Sequence, residues 1–304
     1  DGLARDWFRA RLGEEGLRVA VDAVGNVFGV AELAGPDAPL VLTGSHLDSQ
    51  PSGGRYDGAY GVLAALEALL AVRRRTAQGG GKPARNLGVV SWTNEEGARF
   101  SPSTLGSAVF AGLVDADFAL SRADGDGVTL GAALADIGYR GADAPPRNVA
   151  AYVELHIEQG PELERAGSTI GVVEGNWGTV KYVADIEGRA AHTGPTPMAA
   201  RRDALLPAAE LVLCCRQMSD RTGGALVSSV GRLDVQPNST NVVPGRVRLF
   251  AEFRALDPTM LADACARFEA KGRALSTEAV PVALTRTVDR PAGAFDARLR
   301  DLIE

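Results

Sequence analysis

The stretch TGSHLDSQPSGGRYDGAYGVLAALEAL, residues 43–69, decides the fold. It sets one of the chain's three histidines, two aspartates and five glycines between an apolar run and a helical one. The preceding residues, ending in PLVLTGSH, form a short apolar strand, and Ala59 to Arg75 has helical spacing with no breaker after Gly61. The segment therefore reads as strand, glycine-rich loop and helix. It puts His46, Asp48 and Asp57 at the strand end or in the loop behind it, where side chains are free to converge.

The same pattern recurs along the chain. NLGVVSWTNEEG (86–97) is a strand running into a polar loop with Glu95 and Glu96, and AYVELHIEQG (151–160) is another, with His156 and Gln159. LRVAVDAVGNVFGVAEL (17–33) alternates like a strand pair turning at Gly25-Asn26, and residues 3–12 read as an amphipathic helix. Short apolar strands alternating with helices indicate an α/β fold with a mixed, mostly parallel sheet and flanking helices, whose sites gather at the carboxyl ends of strands.

From Trp177 the pattern changes. TVKYVADIEGRAAHTG (179–194) reads as a strand and MAARRDALLPAAELVLCCRQMSD (198–220) as one long helix. Residues 226–257 read as two or three antiparallel strands, Pro258 to about Leu275 as a helix and VPVALTRTV (280–288) as a strand. FDARLRDLIE (295–304) again reads as an α/β helix. The expected organisation is a catalytic domain in two parts, 1–176 and 290–304, interrupted by an inserted α+β lid or dimerisation domain at 177–289.

Composition excludes several classes. The net charge is -6, from intermixed acids and bases, so the basic stripe required by nucleic acid is missing. No apolar run approaches the roughly 20 residues of a membrane span, and the start of the chain lacks a signal-peptide pattern, which points to the cytoplasm. Cys214, Cys215 and Cys265 form neither a disulfide framework nor a CxxC site and read as reduced thiols.

His46, Asp57, Glu95, Glu96 and His156 fit the needs of metal-assisted hydrolysis, namely neutral imidazoles, carboxylates and a base for water. Asp48 is placed to accept the second ring N–H of His46. Singly each residue has an ordinary structural explanation: a capped histidine, an Asp-Gly turn, a solvated glutamate pair opening a helix.

Five motifs change that balance: the 43–69 stretch, TNEEGARF (93–100), ELHIEQGPELE (154–164), GRAAHTGPTPMAARRDAL (188–205) and NSTNVVPGRVRLFAEFRALD (238–257). Together they resemble the N-carbamoyl-L-amino-acid hydrolase, β-ureidopropionase and allantoate amidohydrolase family, within the two-metal aminoacylase and carboxypeptidase superfamily. The resemblance runs in order over essentially the whole chain and implies a zinc-peptidase-like catalytic domain. It implies that His46 and His156 ligate a first metal, that Asp57 bridges two metals, that Glu96 ligates the second and that Glu95 is the general acid/base. It further implies that Gln159 contacts substrate, that His192 donates to the reacting carbonyl, and that Asn241 and Arg254 hold the substrate carboxylate.

The implied activity is hydrolysis of the C–N bond of N-carbamoyl (ureido) L-amino acids to amino acid, carbon dioxide and ammonia. Allantoate and N-carbamoyl-β-alanine are alternative substrates; more distant readings are a dipeptidase or aminoacylase, or a non-catalytic binding module. The implied cofactors are two divalent ions drawn from zinc, manganese, cobalt or nickel. The implied partners are a small-molecule substrate and a second copy in a homodimer, with neither nucleic acid nor membrane. The chain also resembles a family member truncated at both ends. A late histidine-bearing loop would complete the second metal position, so the expectation is a second site short of one ligand and little activity from these residues alone.

Overall fold

Apolar runs of four to eight residues bounded by polar loops become strands when both of their faces can be covered. The computed structural model describes residues 1–304 and divides into two compact units, Asp1–Gly167 and Ser168–Glu304. The first unit runs α1 (Gly2–Glu14), β1 (Arg18–Val21), β2 (Val27–Ala31), β3 (Leu40–His46), α2 (Ala59–Ala77), β4 (Asn86–Trp92), α3 (Leu105–Phe110), α4 (Ala116–Leu120), α5 (Leu130–Asp136), β5 (Val149–Val153) and α6 (Glu162–Ala166). Its five strands lie in the order β1-β2-β4-β3-β5. The sheet is mixed: β1–β2 and β2–β4 are antiparallel, while β3 pairs in parallel with both β4 and β5.

The central strands β2, β4 and β3 are buried on both faces, which explains why they read as continuous apolar runs. One face packs on α1 and α2 through Phe8, Leu12, Val62, Leu66 and Leu69. The other gathers Phe28, Leu42, Val90 and Trp92, with Phe28 edge-on to Trp92 at 5.9 Å between ring centroids. β3, β4 and β5 run the same way, so their carboxyl ends meet at one edge of the sheet.

The second unit contains β6 (Gly175–Asn176), β7 (Gly178–Glu187), β8 (Ala191–His192), α7 (Leu205–Asp220), β9 (Leu226–Gln236), β10 (Val242–Val243), β11 (Arg246–Ala255), α8 (Pro258–Leu275), β12 (Val282–Arg290), β13 (Gly293–Ala294) and α9 (Ala297–Ile303). Four strands form an antiparallel sheet in the order β12-β7-β11-β9. Alternate residues of β7 and β11 are buried, and they meet α7 and α8 in a core that includes Tyr182, Phe253 and Phe268. α8 starts where its sequence says it should, because Asp257 accepts a hydrogen bond from the Thr259 N–H at 2.8 Å and Pro258 occupies the first turn.

Two details differ from the expectation. The long helix begins at Leu205 rather than Met198: residues 198–200 form only one 3₁₀ turn, Arg202 bridges to Arg189, and the Asp203 carboxylate accepts from the Leu205 N–H at 2.9 Å. The four short helices α3 to α6 were not anticipated, since at five to seven residues each is too brief for a helical spacing to show. No helix is long and apolar enough to cross a membrane.

Candidate metal and active site

The carboxyl ends of β3, β4 and β5 deliver His46, the Glu95–Glu96 pair and His156 to one place, and the loop before α2 adds Asp57. His46 is buried and Asp57 nearly so, at 1% and 5% exposure. The Asp57 Oδ1 lies 3.0 Å from His156 Nε2 and 3.5 Å from His46 Nε2. One ligand atom from each of His46, Asp57 and His156 falls within 4.8 Å of the others, a spacing that one metal ion can span. Both histidines direct Nδ1 at a backbone carbonyl, His46 at Asp48 and His156 at Ile157, each at 2.8 Å, which leaves both Nε2 atoms facing Asp57.

Glycine is required beside the first of these ligands. Gly58 has φ +66°, and a Cβ there would sit 2.4 Å from the His46 Nδ1. The backbone thus passes against the imidazole face and holds the ring.

Asp48 was expected to accept from the His46 ring through its carboxylate. Its carbonyl oxygen takes that role, and its carboxylate oxygens accept from the backbone N–H groups of Glu95, at 3.2 Å, and Glu96, at 3.1 Å. One residue therefore orients the first histidine and the glutamate turn together. Glu95 Oε2 reaches to 3.4 Å from His46 Nε2. Burial raises the Glu95 carboxyl above its ordinary range; His46 opposes this, and Asp48, Glu96 and Glu154 reinforce it.

Glu96 points elsewhere. Its Oε2 accepts from the Gln50 amide at 3.0 Å, while a Cβ on Gly54 would lie within 3.8 Å of both Glu96 Oε1 and Asp57 Oδ2. Asp57 thus turns one oxygen to the two histidines and the other toward the Glu96 side, where the Gln159 amide donates to it. Gln50 was not singled out in the sequence, because nothing in the SQP tripeptide marks a contact 46 residues away.

The residues fit a divalent cation on the structure's own terms. His46 Nε2 and Glu96 Oε1 are buried with no hydrogen-bond partner. Unpaired buried lone pairs are costly unless something electropositive meets them.

In the second unit, His192 and Asn241 come together: β8 pairs with β10 so that His192 lies opposite Val242, and the Thr193 N–H donates to the Asn241 carbonyl at 3.0 Å. Both side chains are exposed. Arg254 is not brought to them. It stands opposite Thr179 at the far end of β11 from Arg246, eight residues or about 26 Å along an extended strand, and it pairs with Glu252 at 2.5 Å.

Comparison with known proteins shows the family. A family model for Peptidase family M20/M25/M40 matches residues 42–299, and the chain belongs to that family. It is 40% identical over 272 residues to the N-carbamoyl-L-amino-acid amidohydrolase of Rhizobium meliloti, a match covering 89% of this chain and 64% of that one. It is 36% identical over 261 residues to the allantoate amidohydrolase of Bacillus subtilis, covering 82% of this chain and 62% of the relative. The crystal structure of an amidase of the hydantoinase/carbamoylase family from Burkholderia vietnamiensis superposes with a TM-score of 0.89 at 41% identity, over 99% of this chain and 73% of that chain. The chain thus spans about three fifths of the length of these curated relatives.

Proposed function

We propose that the protein is a metal-dependent amidohydrolase that cleaves the C–N bond of N-carbamoyl L-amino acids. The observation that carries this reading is the cluster of His46, Asp57 and His156 beside a half-buried Glu95, with His46 Nε2 left unpaired. His46, Asp57 and His156 would hold one divalent cation, and Asp57 and Glu96 would contribute to a second. When bound, such cations polarise the scissile carbonyl and lower the pKa of water.

The chain's own residues supply the rest. Glu95 takes the proton of the attacking water at its carboxylate and returns it to the departing nitrogen. A carboxyl held above its usual range by burial is closer to the protonation balance that both halves of this task need. Asp48 fixes the Glu95 backbone so that its side chain stays near His46. His192 would donate to the developing oxyanion, Gln159 would contact the substrate, and Asn241 and Arg254 would hold its carboxylate. About 26 Å of strand separates Arg254 from the β11 end next to His192 and Asn241, too far for one small substrate to touch all three in one chain. That separation supports a homodimer in which two copies share the work. A cytoplasmic location belongs to the same proposal and is supported by three unpaired cysteines.

Allantoate is the second substrate reading, favoured by the allantoate amidohydrolase of Bacillus subtilis among the relatives. Ammonia release from N-carbamoyl-L-amino acids, N-carbamoyl-β-alanine and allantoate, with zinc or manganese supplied, separates the readings. The proposal expects the highest kcat/KM on an N-carbamoyl-L-amino acid. A preference for allantoate would install the alternative, and no ammonia from any of the three, with dipeptides cleaved in a parallel amino-acid assay, would overturn both.

A further inference from the structure

The backbone ladder does not by itself hold the two candidate histidine ligands together. β3 and β5 pair only as far as Thr43 and Val153, yet His46 lies three residues beyond on one strand and His156 three beyond on the other. Over this last stretch Gly44, Ser45 and His46 are paired to β4 alone, opposite Val90, Ser91 and Trp92. The β5 side of β3 is instead met by side chains. The Ser45 hydroxyl donates to Glu154 Oε1 at 2.5 Å, and the Tyr152 hydroxyl donates to Glu154 Oε2 at 2.6 Å. Tyr152 in turn accepts from the Trp92 indole N–H at 2.9 Å, and its hydroxyl oxygen lies 3.1 Å from the Gly44 carbonyl.

One carboxylate therefore joins β3, through Ser45, the residue before His46, to β5, through Tyr152, and the Tyr152 hydroxyl extends the link to β4 at Trp92, three residues before Glu95. Each oxygen of Glu154 accepts one of these hydroxyls, and Glu154 is not among the side chains whose ligand atoms converge on Asp57. Charge-assisted bonds of this kind are stronger than neutral ones and direction-specific.

We infer that Glu154 is a positioning residue that sets the spacing of His46 and His156 by clasping the ends of β3 and β5. The inference rests on the metal reading given above. Outer partners of metal ligands commonly change affinity by about 10- to 100-fold when removed.

The test is Zn²⁺ titration of the full chain in competition with a chromophoric chelator, alongside thermal unfolding of the metal-free protein. Glu154→Gln keeps one acceptor and places an amide where the other stood, so Zn²⁺ affinity should fall by about 10-fold; Glu154→Ala should approach 100-fold. Ser45→Ala should weaken binding in the parent chain and add nothing in the Glu154→Ala background, because the same bond is already gone. Lowered thermal midpoints with Zn²⁺ affinity unchanged would reduce Glu154 to a structural residue and overturn the inference. His46→Ala separates this from failure of the metal reading. If that variant binds Zn²⁺ as well as the parent, the metal reading falls and the clasp with it. If it loses Zn²⁺ while the Glu154 variants do not, only the clasp falls. Should Glu154→Ala fail to fold, Glu154→Gln and Ser45→Ala decide the matter.

Discussion

The carboxyl edge of the first sheet and the core of the second unit are built on opposite rules. Around Tyr182, Phe253 and Phe268, apolar side chains fill the space, with Phe268 5.2 Å from each of the other two rings. Around His46, a chain that buries few polar groups places two imidazoles and several carboxylates within reach of each other and leaves two buried atoms without partners. The second region is what packing alone produces. The first is what packing alone would avoid, because uncompensated buried polar groups destabilise. The contrast marks the polar edge as the candidate working part of the molecule without reference to any relative.

The largest expected effect belongs to the polar edge. In an intact version of the enzyme, Glu95→Gln should lower kcat by about 10²–10⁴-fold while metal content stays close to that of the parent. Metal analysis and turnover on the same preparation check this, and loss of metal with Glu95→Gln would exchange the roles of Glu95 and Glu96.

Phe268→Ala, in the apolar core, should cost about 3–5 kcal/mol of stability, measured by denaturant unfolding, and leave Zn²⁺ affinity in the folded protein unchanged. A matching loss of Zn²⁺ affinity would break the contrast between the regions.

Two glycines sharpen the comparison. Gly58 and Gly16 have nearly equal φ, +66° and +65°, but a Cβ at Gly58 would strike the His46 ring, whereas Gly16 has open space around it. Gly16→Ala should cost only the left-handed backbone penalty of about 1–2 kcal/mol. Gly58→Ala should carry that cost and also weaken Zn²⁺ binding by displacing the ring. Equal Zn²⁺ affinity in the two variants would show that the contact with His46 does not hold the ring.

The smallest effect lies on the open face of the second sheet. The Asp185 carboxylate accepts from Arg248 at 2.9 and 3.0 Å, and this holds its pKa below the ordinary aspartate value. A group with a depressed folded-state pKa stabilises above its unfolded pKa and loses that contribution as pH falls through the folded one. Asp185→Asn should therefore be slightly less stable than the parent near neutrality and indistinguishable from it in strong acid. Chemical unfolding across pH checks the sign, and a gap that widens on acidification would contradict it.

Much of this was legible in the sequence because its signals are local. β3, β4 and β5 are short apolar runs followed at once by polar loops, so His46, Glu95, Glu96 and His156 could be assigned to strand ends before their neighbours were known. In the same way, the helix expected from Pro258 to about Leu275 is α8. What stayed hidden depends on which strands are adjacent. Nothing within the sequence of Ser45 shows that Glu154, 109 residues later, will accept its hydroxyl proton. The role of Asp48 was half legible: its place two residues after His46 implied a partner for the ring, but which of its oxygens does this depends on the turn that Glu95 and Glu96 make. The false start of α7 at Met198 has the same origin, since its first residues carry helical spacing but are drawn into a bridge with Arg189.

Cation binding by the purified chain and by Asp57→Ala is the most direct test. Both proteins would be loaded with zinc, gel-filtered and measured by mass spectrometry of the metal. The arrangement of His46, Asp57 and His156 predicts stoichiometric zinc in the parent and background zinc in Asp57→Ala, with both proteins folded. A folded parent that retains no zinc, or an Asp57→Ala variant that retains as much as the parent, would contradict the account.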